Sequence, residues 1–292
     1  MSLSSKIRHS FIGWCIRKII HVSYNIRYKK GEPVTYQLPH GVTMNLWPKG
    51  EIAEFLWLGW LFEKTELTLV GDLIKPNMNI IDVGANIGLY SIYAAKLTNN
   101  QTNIWSFEPS RKTASLLTQN ITLNECEDVI NIYEVALSNK ESSSLLASDS
   151  GYGDAYSYLL SSDKKDTKHE HSETVEVTTL DSWISRNNIN KIDFLKVDIE
   201  GGEYLFFQGA EKTLKTNNNI VIMFENEDDW CKRLGHSQED SILFLKSLGF
   251  GIYTWDKKNK KWSELDSDIL RSNILWACRN YNLLPKTNNK TE

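Results

Sequence analysis

Residues 80–96 read IIDVGANIGLYSIYAAK. An apolar run ends at Asp82, a small-residue turn follows, and a helical pattern begins near Leu89. A strand that passes through a glycine-bearing turn straight into a helix marks the carboxyl edge of an open parallel sheet, where ligands bind if strand order reverses. Gly84 and Gly88 permit a tight turn and close approach of backbone to a ligand. Ala85 shares that turn, and Asn86 tolerates unusual backbone angles and bonds locally. The helix starting near Gly88 presents free N–H groups suited to a carboxylate or phosphate.

Working outward, strand and helix patterns alternate. Strands are predicted at 79–83, 103–107, 129–136, 191–197 and 220–224, and helices at 89–96, 112–123, 210–216 and 238–248. This is the pattern of a mainly parallel sheet with helices on both faces. The runs GFGIYTW and SNILWAC read as a closing antiparallel pair at the sheet edge. Upstream, 34–46 reads as a hairpin around Pro39-His40-Gly41, and 51–74 as helix whose many aromatics pack a core. The stretch 138–173 is rich in Ser, Asp, Lys and Glu and reads as an inserted loop or hairpin. Its Tyr152, Tyr156 and Tyr158 either stack on a sugar ring or pack a hairpin, and His169-Glu170-His171 belongs to its solvated loop. This divides the chain into an N-terminal extension at 1–50, a main domain at 51–280 and a flexible tail at 281–292.

Glu108 ends the second strand of the alternating series, 26 positions after Asp82. An acid there is placed to accept hydrogen bonds from both hydroxyls of a ribose. Nicotinamide or flavin dinucleotides and S-adenosylmethionine both fit. A dinucleotide turn needs G-x-G-x-x-G against its pyrophosphate. Here Asn86 stands at the middle glycine position and the third glycine is missing, which favours S-adenosylmethionine, with Asp82 orienting its amino-acid end.

The 292 residues suit one large domain with extensions. A net charge of −4 excludes a polycation built for nucleic acid. The charge is uneven: before Glu32 there are seven basic residues and no acid. Arg17 and Lys18 interrupt the only apolar candidate, which falls short of the roughly 20 residues needed to cross a bilayer. The absence of a small-residue cleavage site argues against a signal peptide. Residues 6–30 read either as a basic amphipathic helix touching a membrane surface or as a helix packed on the domain. Cys15, Cys126, Cys231 and Cys278 form no CxxC pair, which predicts free thiols and a cytoplasmic protein, peripheral at the inner membrane if the basic segment binds lipid.

Six stretches, IIDVGANIGLYS (80–91), FEPS (107–110), VALSN (135–139), TTLDSWI (178–184), IDFLKVDIEGGEYLFFQGAEKTL (192–214) and MFEN (223–226), together resemble the FkbM-type family of class I methyltransferases. KVDIEGGE is the most specific of them. The resemblance implies a Rossmann-like fold with a seven-stranded sheet, S-adenosylmethionine as donor, and usually O-methylation, on sugars or natural-product hydroxyls, with some amide nitrogens among the family's acceptors. It extends the cofactor site to Pro109, Ala136, Leu137 and Asp198.

A hydroxyl acceptor must lose its proton during transfer, to a base or through a metal that lowers its pKa. The candidates gather at the ends of the fourth and fifth strands: Lys196, Asp198, Glu200 and Glu225. Asp198 is the favoured general base, with Glu200 and Glu225 supporting it. Asp198, Glu225 and Asn226 also form an all-oxygen ligand set for a magnesium-like cation. A buried Lys196–Glu225 pair tying two strands together is the plain structural alternative. Trp183 reads as core, and the run Asn226–Trp230 as the rim of the acceptor pocket. Two other readings remain open: a nicotinamide-dependent oxidoreductase, and a non-catalytic cofactor-binding partner subunit.

Overall fold

A computed structural model describes residues 33–48, 51–57, 61–148, 157–159, 171–265 and 273–286. The basic segment 6–30, Tyr152, Tyr156, His169 and Glu170 lie outside the described residues. The hairpin β1 (Val34–Gln37) and β2 (Thr43–Leu46) turns at Pro39-His40-Gly41, as predicted. After it come α1 (Glu51–Trp57), α2 (Lys64–Leu73), β3 (Asn79–Val83), α3 (Leu89–Leu97), β4 (Asn103–Phe107), α4 (Arg111–Leu123) and β5 (Ile130–Tyr133). The insertion supplies β6 (Ala136–Leu137), β7 (Ser142–Ser148), β8 (Ser157–Leu159) and β9 (His171–Thr178). The chain then runs through α5 (Leu180–Asn187), β10 (Phe194–Val197), α6 (Glu203–Gly209), α7 (Glu211–Thr216), β11 (Val221–Glu225), α8 (Asp228–Arg233) and α9 (Gln238–Ser247). It closes with β12 (Gly251–Asp256), β13 (Lys261–Glu264) and β14 (Ile274–Cys278).

The main sheet has the order β13-β12-β14-β11-β10-β3-β4-β5. Pairings from β11 through β10, β3 and β4 to β5 are parallel, and those of β14, β12 and β13 antiparallel. The chain lays down β3, β4 and β5 outward and then returns to place β10 on the other side of β3. Strand order therefore reverses between β3 and β10, which is where such sheets take ligands. Along the central strands buried residues alternate between two apolar layers: Ile80, Phe194, Val221 and Met223 on one face, and Ile81, Leu195, Ile222 and Phe224 on the other. Asp82 and Lys196 break the first layer as buried charged groups in register with each other.

Four expectations need correcting. The sheet has eight strands, not seven: the short, polar β13 pairs with β12, seating Trp262 opposite Trp255 with ring centroids 5.0 Å apart. Charged residues are ordinary on an edge strand and hide its alternation. The expected strand 129–136 is two strands, because the chain leaves the edge of the main sheet after Tyr133 to enter a second one. The insertion builds that second sheet, in the order β6-β9-β7-β8, and His171 opens β9 rather than lying in a loop. The tail is anchored at its start: Leu284 is buried and Trp262 Nε1 donates to Pro285 O at 2.9 Å.

The hairpin β1–β2 belongs to the main core. Val42, Met44 and Leu46 are buried in it. Asn120 on α4 and Asn124 at its C-cap bond the hairpin backbone reciprocally: Asn45 N donates to Asn120 Oδ1 at 2.7 Å and Asn120 Nδ2 to Asn45 O at 3.1 Å, while Thr43 N donates to Asn124 Oδ1 at 2.8 Å and Asn124 Nδ2 to Thr43 O at 2.6 Å. Cys126, Cys231 and Cys278 are buried free thiols. Among the described residues no helix is long and apolar enough to cross a membrane.

Candidate active site

The turn after β3 is built by its glycines. Gly84 has φ +71, and a Cβ there would lie 1.9 Å from the backbone oxygen of Asp198. Only glycine lets the β3 and β10 ends approach this closely. Gly88, at φ +95, caps α3, and Asn86 is left-handed at φ 51. Gly84 N and Ala85 N both donate to Phe107 O, at 3.0 and 2.9 Å, which ties the turn to the end of β4.

Glu108 follows β4 and is buried at 6% exposure. Its Oε2 accepts from Asn86 N and its Oε1 from Ser110 N, both at 2.9 Å. Each oxygen therefore keeps acceptor capacity for a further donor. Burial raises the Glu108 pKa to about 7 against the opposing pull of those two N–H groups. On the sequence-based expectation that Glu108 takes the ribose hydroxyls, which donate to the ionised form, affinity for S-adenosylmethionine should increase by at most about tenfold per pH unit below neutrality and level off above it. In the free protein the raised pKa has the opposite sign: ionising Glu108 costs stability as pH climbs from 4.5 through about 7. Calorimetric titration at several pH values checks this, and Glu108→Gln should flatten the profile.

Beneath the turn lies a buried charge network. Lys196, 4% exposed, sends Nζ to Gly84 O at 2.7 Å, to Asp198 Oδ2 at 3.2 Å and to Asp82 Oδ1 at 3.5 Å. It also stands 5.6 Å from the centre of the Tyr90 ring. Burial alone would lower the Lys196 pKa, but the charges of Asp198, Asp82 and Glu63 more than offset it and raise it. Ser91 Oγ donates to Asp82 Oδ2 at 2.6 Å and meets Ser106 Oγ at 2.8 Å. The expected Lys196–Glu225 pair is not formed. Lys196 is in register with Asp82 and with Met223, two positions short of Glu225.

A cavity of about 410 Å³ opens over this floor. Gly84, Asn86, Glu108, Pro109, Ala136, Leu137, Asp198 and Glu200 line it, so most of the residues singled out in the sequence meet on one surface. Ala85, Gly88 and Asp82 shape it from behind as buried or capping residues. The second sheet closes the far wall with Ser142, Ser143, Ser144 and Leu146. The run Asn226–Trp230 is not among the residues lining the cavity, whereas Leu205 and Leu234 are. Trp183 is core, packed edge-on against Phe107 and Tyr133 at 5.0 Å each.

Asp198 and Glu200 on the cavity surface, and Glu225 on the end of β11, bring one carboxylate oxygen each within 4.8 Å of the others. Asn226, next to Glu225, sits at 2% exposure with both amide atoms unpaired. Glu200 is left-handed at φ 54. Burial, then the Asp198 charge, pushes its pKa up to about 9. Burial and the same neighbours raise Glu225 as well.

One pair escaped the sequence reading. Tyr90 Oη donates to Glu63 Oε2 at 2.6 Å, and burial followed by the Asp198 charge raises Glu63 to about 7. A single acid in the aromatic run 55–62 to 63 was the only signal, and it was absorbed into core packing.

A reversed-order parallel sheet, a glycine turn at the reversal point and a buried acid beyond the second strand form a Rossmann-like site suited to a ribose-bearing cofactor. A sequence profile described as the methyltransferase FkbM domain matches residues 82–252, and the chain belongs to that family. The 2-O-methyltransferase NoeI of Sinorhizobium fredii is 26% identical over 175 residues, 56% of this chain and 70% of that protein. Methyltransferase 1 of Beauveria bassiana is 28% identical over 189 residues, 59% of this chain and 72% of its own length. A crystallised methyltransferase FkbM from Methylobacillus flagellatus aligns with a TM-score of 0.44 and 14% identity, over 70% of this chain and 44% of that one.

Proposed function

We propose that this enzyme methylates a hydroxyl of a carbohydrate or related polyol. The observation that carries the reading is the single cavity joining Glu108 and the glycine turn to Asp198 and to the serine-lined wall of the second sheet. The name of the Sinorhizobium relative, a 2-O-methyltransferase, supports oxygen as the acceptor atom. Neutral hydroxyls on the far wall suit an acceptor that exchanges hydrogen bonds rather than charge.

The residues present fit the donor. Glu108 keeps acceptor capacity facing the cavity, and Gly84 leaves backbone where a side chain would intrude. When bound, S-adenosylmethionine supplies a methyl group activated by its positive sulfur. The chain aligns the acceptor oxygen, which is the larger part of the work when the donor is already activated. Asp198 lines the cavity at the reversal point and accepts the acceptor's proton, while Lys196 fixes its carboxylate at 3.2 Å. The second sheet covers the site and limits water.

The test is mass spectrometry of a panel of glycans and small polyols incubated with isotopically labelled donor. Label retained on a sugar oxygen is the expected result; label on nitrogen alone, or on no member of the panel, rejects the reading. Asp198→Ala should abolish turnover while leaving donor affinity, measured by calorimetry, largely intact. Equal loss of both would assign Asp198 to the cofactor.

A further inference from the structure

We propose that Glu63 is a positioning residue for the transfer step: it holds the Tyr90 phenol, whose ring lies under the Lys196 ammonium, and Lys196 in turn fixes Asp198. The role in transfer rests on the methyl-transfer reading; the link from Glu63 to Lys196 does not. Tyr90 Oη donates to Glu63 Oε2 at 2.6 Å. Lys196 Nζ stands over the same ring, 5.6 Å from its centre. That is inside the roughly 6 Å at which a ring face attracts a cation. The same Nζ meets Asp198 Oδ2 at 3.2 Å and donates to Gly84 O at 2.7 Å. An ionised Glu63 draws the phenol proton toward itself, which leaves the ring richer in electrons and a better seat for the ammonium.

The backbone at Glu63 supports a role beyond packing. Glu63 is left-handed at φ 47, directly before α2. Few residues other than Gly, Asn and Asp adopt that conformation. A short polar residue there would cap the helix, yet Glu63 makes no side-chain cap and turns its carboxylate to Tyr90. The helix does not need that carboxylate, since the Glu63 carbonyl starts it by accepting from Leu67 N at 2.9 Å. A strained residue whose side chain is spent on a charge network is a mark of function. The groups that act on Glu63 are Asp198 and Lys196 from β10 and its end, Tyr90 from α3 and Glu66 from its own helix. Glu66 is already paired with Lys257 at 3.0 Å. Burial, then the Asp198 charge, raises Glu63 to about 7, so its charge comes and goes in the same range as that of Glu108. Both acids also act on Lys196, and a test must separate them. Glu63 lies upstream of the matched residues 82–252, so the segment before the family domain contributes to the site.

The probe is the Lys196 ammonium itself, read by nuclear magnetic resonance in the full chain labelled with ¹⁵N at lysine Nζ, with no acceptor present. Its signal is recognised by protection from solvent exchange, because Lys196 is the one buried lysine among the described residues. Glu63→Gln keeps an acceptor for Tyr90 and removes only the charge, so thermal unfolding should match the parent. As pH passes through neutrality the parent signal should move; part of that movement should vanish in Glu63→Gln and persist in Glu108→Gln. Tyr90→Phe keeps the ring and breaks the hydrogen bond, and should displace the signal throughout. With the acceptor found in the glycan panel, Glu63→Gln should lower kcat about tenfold or more while calorimetry shows donor affinity largely intact. A Lys196 signal in Glu63→Gln that follows the parent at every pH overturns the proposal and leaves Glu63 a tie between α2 and α3. An unchanged kcat overturns its role in transfer. A panel with no labelled acceptor rejects the methyl-transfer reading, while the Lys196 signal still decides the link.

Discussion

Glu108→Ala is expected to weaken S-adenosylmethionine binding by about 3 kcal/mol, on the order of a hundredfold. The carboxylate holds two backbone N–H groups, and the expected ribose contact would use its remaining acceptor capacity for two hydroxyls. Hydrogen bonds to an ionised group contribute about 1.5–3 kcal/mol each, and two are lost. The substitution also frees the N–H groups of Asn86 and Ser110, which loosens the turn that the cofactor lies against. Against this, removing a carboxyl whose burial pushes its pKa to about 7 relieves some strain on the free protein, so its melting temperature should move little. Calorimetric titration with S-adenosylmethionine and with NAD makes the measurement. Undiminished affinity in the variant would remove Glu108 from the ribose site. NAD should show no saturable binding, in keeping with the methyltransferase family.

Lys196→Met should be the most damaging single change to stability, at about 3–5 kcal/mol. Asp82 is almost fully buried, and without Lys196 its charge is held by Ser91 alone among the hydrogen bonds it makes. The Gly84 carbonyl loses its 2.7 Å donor at the same time, so the cofactor turn loses its support from below. For a domain of this size the melting temperature should fall by roughly 10 °C or more. Adding Asp82→Asn to the same chain removes the stranded charge and should recover much of the loss. A thermal scan showing Lys196→Met as stable as the parent would mean that the network adds nothing to the fold.

The parts legible in the sequence were those written in local pattern. Asn79–Val83, Asn103–Phe107 and the helices after them emerge where the periodicities change, because each buries a face within its own βα unit. Gly84 and Glu108 were legible because a turn and a strand end restrict residue type. What escaped depends on partners distant in sequence. Lys196 carries no mark that its partner is Asp82, 114 positions away, rather than Glu225; only the β3–β10 register decides it. Glu63 looks like one polar residue in an aromatic helix until Tyr90 is seen against it. The serine-rich 142–148 lacks the hydrophobic content of a strand, and becomes one by pairing along its whole length with β9. Edge strand β13 is similar: Lys261, Ser263 and Glu264 are exposed, and Trp262 turns inward.

The asparagine clamp on the hairpin bears on how the enzyme should be trimmed. The family match starts at residue 82, which invites cutting the gene just upstream of it. A fragment begun there would bare the side chains of Asn120 and Asn124 and strip Val42, Met44 and Leu46 from the core they fill. Shortened versions for crystallisation or expression should therefore start no later than Pro33, and failure of a fragment begun at 80 would reflect a missing wall rather than a missing catalyst.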